Sequence, residues 1–168
     1  ASLSNGNGLS LTLKFMHVWD QPPSTMQGTL VEGLGMRVAT VDDQVTLMVG
    51  DQSYAIAGER DGNIKNYQCN QLALVLAEDT DAVVYLGSSA TTIPGLTMQT
   101  VRDHIAESED PQHLLTLGNI NAKIWDLRLY GNGRRLSGAQ VDLIGARCGN
   151  AGQYKIPDGY PESNQRYS

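Results

Sequence analysis

Ala122-Lys123-Ile124-Trp125-Asp126-Leu127-Arg128-Leu129-Tyr130, followed by Gly131-Asn132-Gly133-Arg134-Arg135-Leu136-Ser137-Gly138-Ala139-Gln140-Val141, is the stretch that decides the fold. It reads as a half-buried strand, a Gly-Asn-Gly turn and a short helical tail. In an unbroken strand Trp125, Leu127 and Leu129 share one face, and Ile124, Asp126, Arg128 and Tyr130 share the other. The first face is wholly apolar, as the core of a two-sheet sandwich requires. Asp126 and Arg128 become same-face neighbours placed to pair, which at an exposed site is worth under about 1 kcal/mol.

The same period of two recurs upstream. Leu9, Leu11, Leu13 and Phe15 alternate with Ser10, Thr12 and Lys14, which predicts a strand with one face in a core. Met36, Val38 and Thr40, then an Asp42-Asp43 turn, then Val45, Leu47 and Val49 predict a hairpin. Gly50-Asp51 is a further turn before a short strand at Ser53 to Ala57. Leu72 to Ala77 is continuously apolar, which fits either a core strand or a short buried helix; its six residues before Glu78-Asp79-Thr80-Asp81 favour the strand. Ala82 to Leu86, rich in Val and Tyr, is its hairpin partner. Thr97 to Ala106 fits a strand or a helical turn, and Leu114 to Leu117 a short strand.

Many short strands at near-regular spacing predict an all-β chain, an antiparallel β-sandwich of jelly-roll type. The 168 residues make one domain. The expected division is a sandwich over 1–148 and an extended arm over 149–168, where Gly, Pro and three Tyr occur without periodicity.

Bulk properties narrow the function. The net charge of −6 repels phosphate backbones and argues against nucleic acid as a partner. No apolar run approaches membrane-spanning length, so membrane insertion is not expected. Cys69 and Cys148 suit an extracellular setting if joined and a cytosolic one if free, and spacing alone does not choose. Neither belongs to a C-x-x-C motif.

Three segments, in order, resemble the laminin-G-like (concanavalin A-like lectin and glucanase) superfamily. Leu11 to Trp19 is similar to an early strand that runs toward an aromatic residue. Tyr67, Leu72-Ala73-Leu74-Val75, the Asp79-Thr80-Asp81 turn and Val83-Val84-Tyr85-Leu86-Gly87 resemble a family hairpin. Lys123 to Tyr130 with Leu136-Ser137 resembles the closing motif G-x-I-D-E-V-R-I-Y-N-R-x-L-S, matching at Ile124, Leu127, Arg128, Leu129 and Tyr130. The chain departs from that motif at Ala122, Trp125 and Asp126. The resemblance spans about residues 9 to 145. It implies a concanavalin A-like sandwich, with calcium ions often held at loops on one rim.

Catalytic signatures are missing. Glucanases of this superfamily carry E-x-D-x-x-E on one strand, where two carboxylates flank a glycosidic bond. No strand here has that pattern, and Glu107 with Glu109 lies beside Asp110-Pro111 in an expected loop. His17, His104 and His113 are scattered, and no G-x-S-x-G occurs. No catalytic residue and no enzyme activity is therefore expected.

Trp19, where a strand enters the Pro22-Pro23 loop, and Tyr67 are the candidate ligand-binding residues. Two acidic clusters are candidate Ca²⁺ ligands: Glu78, Asp79 and Asp81, and Glu107, Glu109 and Asp110. The expected role is a non-catalytic recognition module for a glycan or a cell-surface protein. The alternative is a structural building block, such as a virion decoration or fibre module or an adhesin spacer, assembled into homo-oligomers through the 149–168 tail. Either role places the chain outside the cell or on the surface of a larger particle.

Overall fold

A computed structural model describes residues 8–17, 25–58, 64, 68–107, 115–131, 135–145 and 148. Ten strands form two antiparallel five-stranded sheets. They are β1 (Gly8–His17), β2 (Gly28–Gly33), β3 (Met36–Val41), β4 (Gln44–Val49), β5 (Gln52–Ala55), β6 (Asn70–Ala77), β7 (Ala82–Leu86), β8 (Ser89–Ile93), β9 (Leu115–Leu117) and β10 (Ala122–Tyr130). The first sheet runs β10-β1-β6-β7-β8 and the second β5-β4-β3-β2-β9. Two helices complete the described structure, α1 (Met98–Glu107) and α2 (Gly138–Gly145). The expected all-β sandwich is thus the observed one.

One core lies between the sheets. Leu9, Leu11, Leu13 and Phe15 of β1 meet Val31, Val38, Val45 and Leu47 of the second sheet, with Leu72, Leu74 and Leu76 alongside. The hairpin turns that set this register use left-handed backbone. Leu34 (φ 54°) and Gly35 (φ 80°) join β2 to β3, and Asp42 (φ 49°) and Asp43 (φ 67°) join β3 to β4. Two consecutive left-handed residues match the natural twist of paired strands. Leu34 accepts that conformation while its side chain, 3% exposed, fills the core.

β1 and β6 are buried on both faces, not on one. The cause is α2, which lies on the outer face of the first sheet. Val141 is fully buried against Ala73 and Val75, with Tyr85 and Leu136 packed beside them. This cover explains why Leu72 to Ala77 is apolar at every position. Ser137 starts the helix: its hydroxyl accepts from Gln140 N (3.2 Å), and the Gln140 side chain accepts from Ser137 N (2.8 Å). Gln71 donates to Val141 O (2.9 Å), and a Cys69–Cys148 disulfide anchors the chain beyond the helix to the start of β6.

Three differences from the sequence reading stand out. β2 and β8, Thr-rich or Gly-flanked, were not expected as strands. The Thr97 to Ala106 segment, which the sequence leaves between a strand and a helical turn, takes the helical alternative but as a full ten-residue helix, α1, capped by the Thr97 hydroxyl, which accepts from Gln99 N (3.2 Å). The third concerns β10. A bulge lies at Asp126 (φ 52°): between the pairs Thr12–Arg128 and Lys14–Trp125, one residue of β1, Leu13, stands against two of β10, Leu127 and Asp126. Parity therefore reverses at mid-strand. Ala122 and Ile124 pack on the core, whereas Trp125 stands opposite the outward-facing Lys14. Trp125, Leu127 and Leu129 do not form one buried face, and Leu127 and Leu129, on an edge strand, are each 40% exposed.

Candidate functional site

The outer face of the second sheet carries no helix among the described residues. Strand register sets a row of side chains across it: Thr116 of β9, Glu32 of β2, Arg37 of β3, Met48 of β4 and Ser53 of β5. A parallel row of small residues, Thr29, Ala39, Thr46 and Ala55, runs beside it. Small side chains next to long polar ones leave a depression. It deepens at the end of the sheet into a cleft of about 420 Å³ lined by Glu32, Arg37, Met48, Thr116 and His104, with Gly33, Gly35 and Gly50 as its floor and rim.

α1 completes that cleft. The helix crosses one end of the sandwich, with Met98 and Val101 fully buried in the core. Arg102 pairs with Glu78 of the β6–β7 turn, and His104 lies over Gly35 of the β2–β3 turn. A Cβ on Gly35 would meet the His104 ring at 3.2–3.3 Å, so glycine is what lets the imidazole close over the turn.

The cleft's polar groups are left open for a ligand. Arg37 donates Nη2 to Met48 Sδ (3.1 Å), a weak acceptor that orients the guanidinium and leaves most of its donors available. Glu32, its cross-strand neighbour, forms no ion pair with it among the described residues. An uncommitted carboxylate, guanidinium, imidazole and hydroxyl around an open depression can bracket a polyhydroxylated ligand by hydrogen bonds. Glu32 is the one carboxylate among the described lining residues, whereas glycoside hydrolysis uses two.

The residues singled out from sequence fall elsewhere. Trp19, Tyr67, Glu109, Asp110, His113 and the 149–168 tail lie outside the described residues. Glu78 is held by Arg102, whose hydrogen bond lowers the Glu78 pKa below the usual carboxylate value. Asp81 accepts from Gly95 N (3.0 Å) and so fixes the turn before α1. Glu78, Asp79 and Asp81 therefore do not converge on a common point, and Glu107 ends α1. Among the described residues no three His, Cys, Asp or Glu side chains gather as metal ligands would. His17 is buried, with its Nε2 3.2 Å from Asn121 Nδ2. No described helix is long and apolar enough to cross a membrane.

Glu32, Arg37 and Thr116 carried no sequence signal. They are far apart in the chain and become neighbours only through strand pairing. His104 was noticed as an isolated histidine; its place over Gly35 depends on α1, which the sequence left undecided.

No family model and no curated protein matches the chain. Solved structures do. A tryptophan-to-alanine mutant of HCR/D is 12% identical at a TM-score of 0.57, covering 88% of this chain and 39% of that one. The binding domain of botulinum neurotoxin DC in complex with rat synaptotagmin II is 8% identical at 0.54, covering 86% and 37%. The botulinum neurotoxin serotype D ligand-binding domain in complex with N-acetylneuraminic acid is 10% identical at 0.53, covering 82% and 36%. At such identities the likeness is one of fold alone, and this chain spans well under half of each neighbour. The chain shares the β-sandwich found within these receptor-binding domains.

Proposed function

We propose that this chain is a non-catalytic recognition module of laminin-G-like, concanavalin A-like kind that takes a saccharide in the cleft on the outer face of its second sheet. The observation that carries this reading is the set of uncommitted polar groups, Glu32, Arg37, His104 and Thr116, around an open cleft with one carboxylate. Arg37 and Glu32 would hold ring hydroxyls, and the Met48 thioether offers an apolar contact for the sugar's C–H face. The names of structural neighbours agree in kind, since one was solved with N-acetylneuraminic acid and another with synaptotagmin II. The Cys69–Cys148 disulfide suits an extracellular setting.

The test is a screen of immobilised glycans with the intact chain and an Arg37→Ala variant. It is run with calcium and with chelator, because Glu109 and Asp110 remain candidate ligands with Glu107. Saturable binding that falls at least tenfold in the variant is expected. A blank screen under both conditions would end this reading.

A second reading, a building block of a larger assembly, is favoured by one feature. Leu117 of the edge strand β9 (42% exposed) and Leu127 and Leu129 of the edge strand β10 (40% each) are large apolar side chains left exposed. A native mass measurement showing only monomer at high concentration would remove that reading.

A further inference from the structure

The bulge at Asp126 re-aims side chains that the chain would otherwise separate. In an unbroken strand Trp125 and Arg128 lie on opposite faces. Here Trp125 stands opposite Lys14 and Arg128 opposite Thr12, so both face outward. Their separation along the strand is that of two residues, about 7 Å. Tyr130, opposite Ser10, follows on the same face. Asp126 is turned outward too: Lys14 Nζ donates to its Oδ2 (2.7 Å) and Arg128 Nε to its Oδ1 (2.8 Å). A non-glycine residue in left-handed backbone is strained, and such strain gathers at functional sites.

On a chain of net charge −6, this strip carries three cations, Lys14, Lys123 and Arg128, and one acid, Asp126, which pairs with Lys14 and Arg128. Arg128 is held by Asp126 and by Tyr130, so its position is fixed, yet its side chain is 48% exposed. Lys123, exposed, rests with its ammonium 5.7 Å from the Trp125 ring centroid. Asp126 takes the Nε–Nη2 edge of Arg128 (2.8 and 3.3 Å), and the outer edge of the guanidinium, at Nη1, is the part that can donate to a carboxylate or sulfate. Partly exposed aromatic rings beside it offer apolar faces to a sugar ring. A long polyanion would meet the acidic remainder of the chain, whereas a single anionic sugar would not.

We propose that the outer face of β10 is a binding site for a carboxylate- or sulfate-bearing sugar, with Arg128 pairing its anion, Trp125 contacting its ring and Lys123 reaching the same anion. The proposal rests on the chain being a saccharide-recognition module, but it puts the anionic ligand on the sheet opposite the Glu32–Arg37 cleft.

The test is calorimetric titration of the whole chain with sialyl-lactose, lactose sulfate and lactose, at low and raised salt. Either or both anionic sugars should bind at least tenfold more tightly than lactose, and the two arms show whether carboxylate or sulfate is preferred. Arg128→Gln and Trp125→Ala should each weaken anionic binding about tenfold, and Lys123→Gln several-fold. Val41→Ser, at an exposed position of β3 on the second sheet, should leave it unchanged. Lys123 is exposed, so its variant stays informative even where loss of Arg128 disturbs Asp126. Anionic binding that ignores Arg128, Trp125 and Lys123 but is lost in Arg37→Ala would overturn this site and leave the cleft standing. Equal affinity for lactose and both anionic sugars would overturn it as well. The absence of any glycan binding in the screen above would remove the saccharide reading itself.

Discussion

Replacing Cys69 and Cys148 together by Ser removes the one covalent cross-link among the described residues. The bridge closes a separation of 79 residues, which includes β6, β7, β8, α1, β9, β10 and α2. Loop-closure entropy for that length is about 15 cal/mol/K, or about 4.5 kcal/mol at about 25 °C. Measured losses of this kind run from about 2 to 5 kcal/mol, and with a urea slope of about 2 kcal/mol/M the midpoint should fall by about 1–2.5 M. The damage should be uneven. α2 has eight residues, too few to be stable alone, and its one fully buried side chain is Val141. Its amides should lose hydrogen-exchange protection before those of β1 and β6. The assay is urea unfolding followed by tryptophan fluorescence, paired with exchange measured by mass spectrometry. A midpoint shift worth less than about 1 kcal/mol, or α2 protection equal to the parent's, would refute the view that the bridge clamps α2 onto the first sheet.

Other outcomes follow from the same contacts. Asp126→Asn keeps a residue that tolerates left-handed backbone but leaves Lys14, 7% exposed, without its counter-charge; a loss of about 2–3 kcal/mol is expected by chemical denaturation. Hydrogen bonds from Arg128 and then Lys14 lower the Asp126 pKa, so its contribution is present above the ordinary carboxylate value of about 3.9 and is lost as pH falls through the lower native value. The Asn variant should accordingly show a flatter acid-side stability curve than the parent. Thr12→Val removes a buried hydroxyl that has no hydrogen-bond partner and keeps the side-chain shape, so stability should hold or rise by up to about 1 kcal/mol; a clear loss in thermal melts would show that the hydroxyl is satisfied. Gly35→Ala forces a Cβ against the His104 ring at φ 80°, costing about 1–2 kcal/mol and weakening ligand binding in the cleft by displacing the imidazole.

The sandwich was legible because alternation survives wherever one strand face is buried. Val45, Leu47 and Val49, and Met36 and Val38, announce their hairpin through Asp42-Asp43. Legibility failed where a second layer intervened. β6 reads as a uniform apolar run because α2 covers its outer face, and that contact is made by Val141, some seventy residues away. The Ser137–Gln140 capping pair was present in the chain as S-x-x-Q and marks the start of α2. The bulge in β10 had no such marker. Asp126 sits where glycine is usual, and only the mismatch between Thr12–Lys14 and Arg128–Trp125 exposes it. For that reason the alternation misassigns the faces before the bulge, at Ile124 and Trp125, but holds after it at Arg128, Leu129 and Tyr130, and it places the Asp126–Arg128 pair correctly. The cleft is illegible for a different cause: Thr116 reaches Glu32 only through the long-range pairing of β9 with β2, and His104 reaches Gly35 only through α1.

The claim that the outer face of the second sheet is a saccharide site is tested most directly by mapping backbone amide chemical shifts while a glycan found by the screen is titrated into the intact, disulfide-bonded chain. Saturable shifts centred on Glu32, Arg37, Met48, His104 and Thr116, abolished by Arg37→Ala in a variant that melts like the parent, are the expected result. Shifts that saturate elsewhere and leave those five residues unmoved would contradict it.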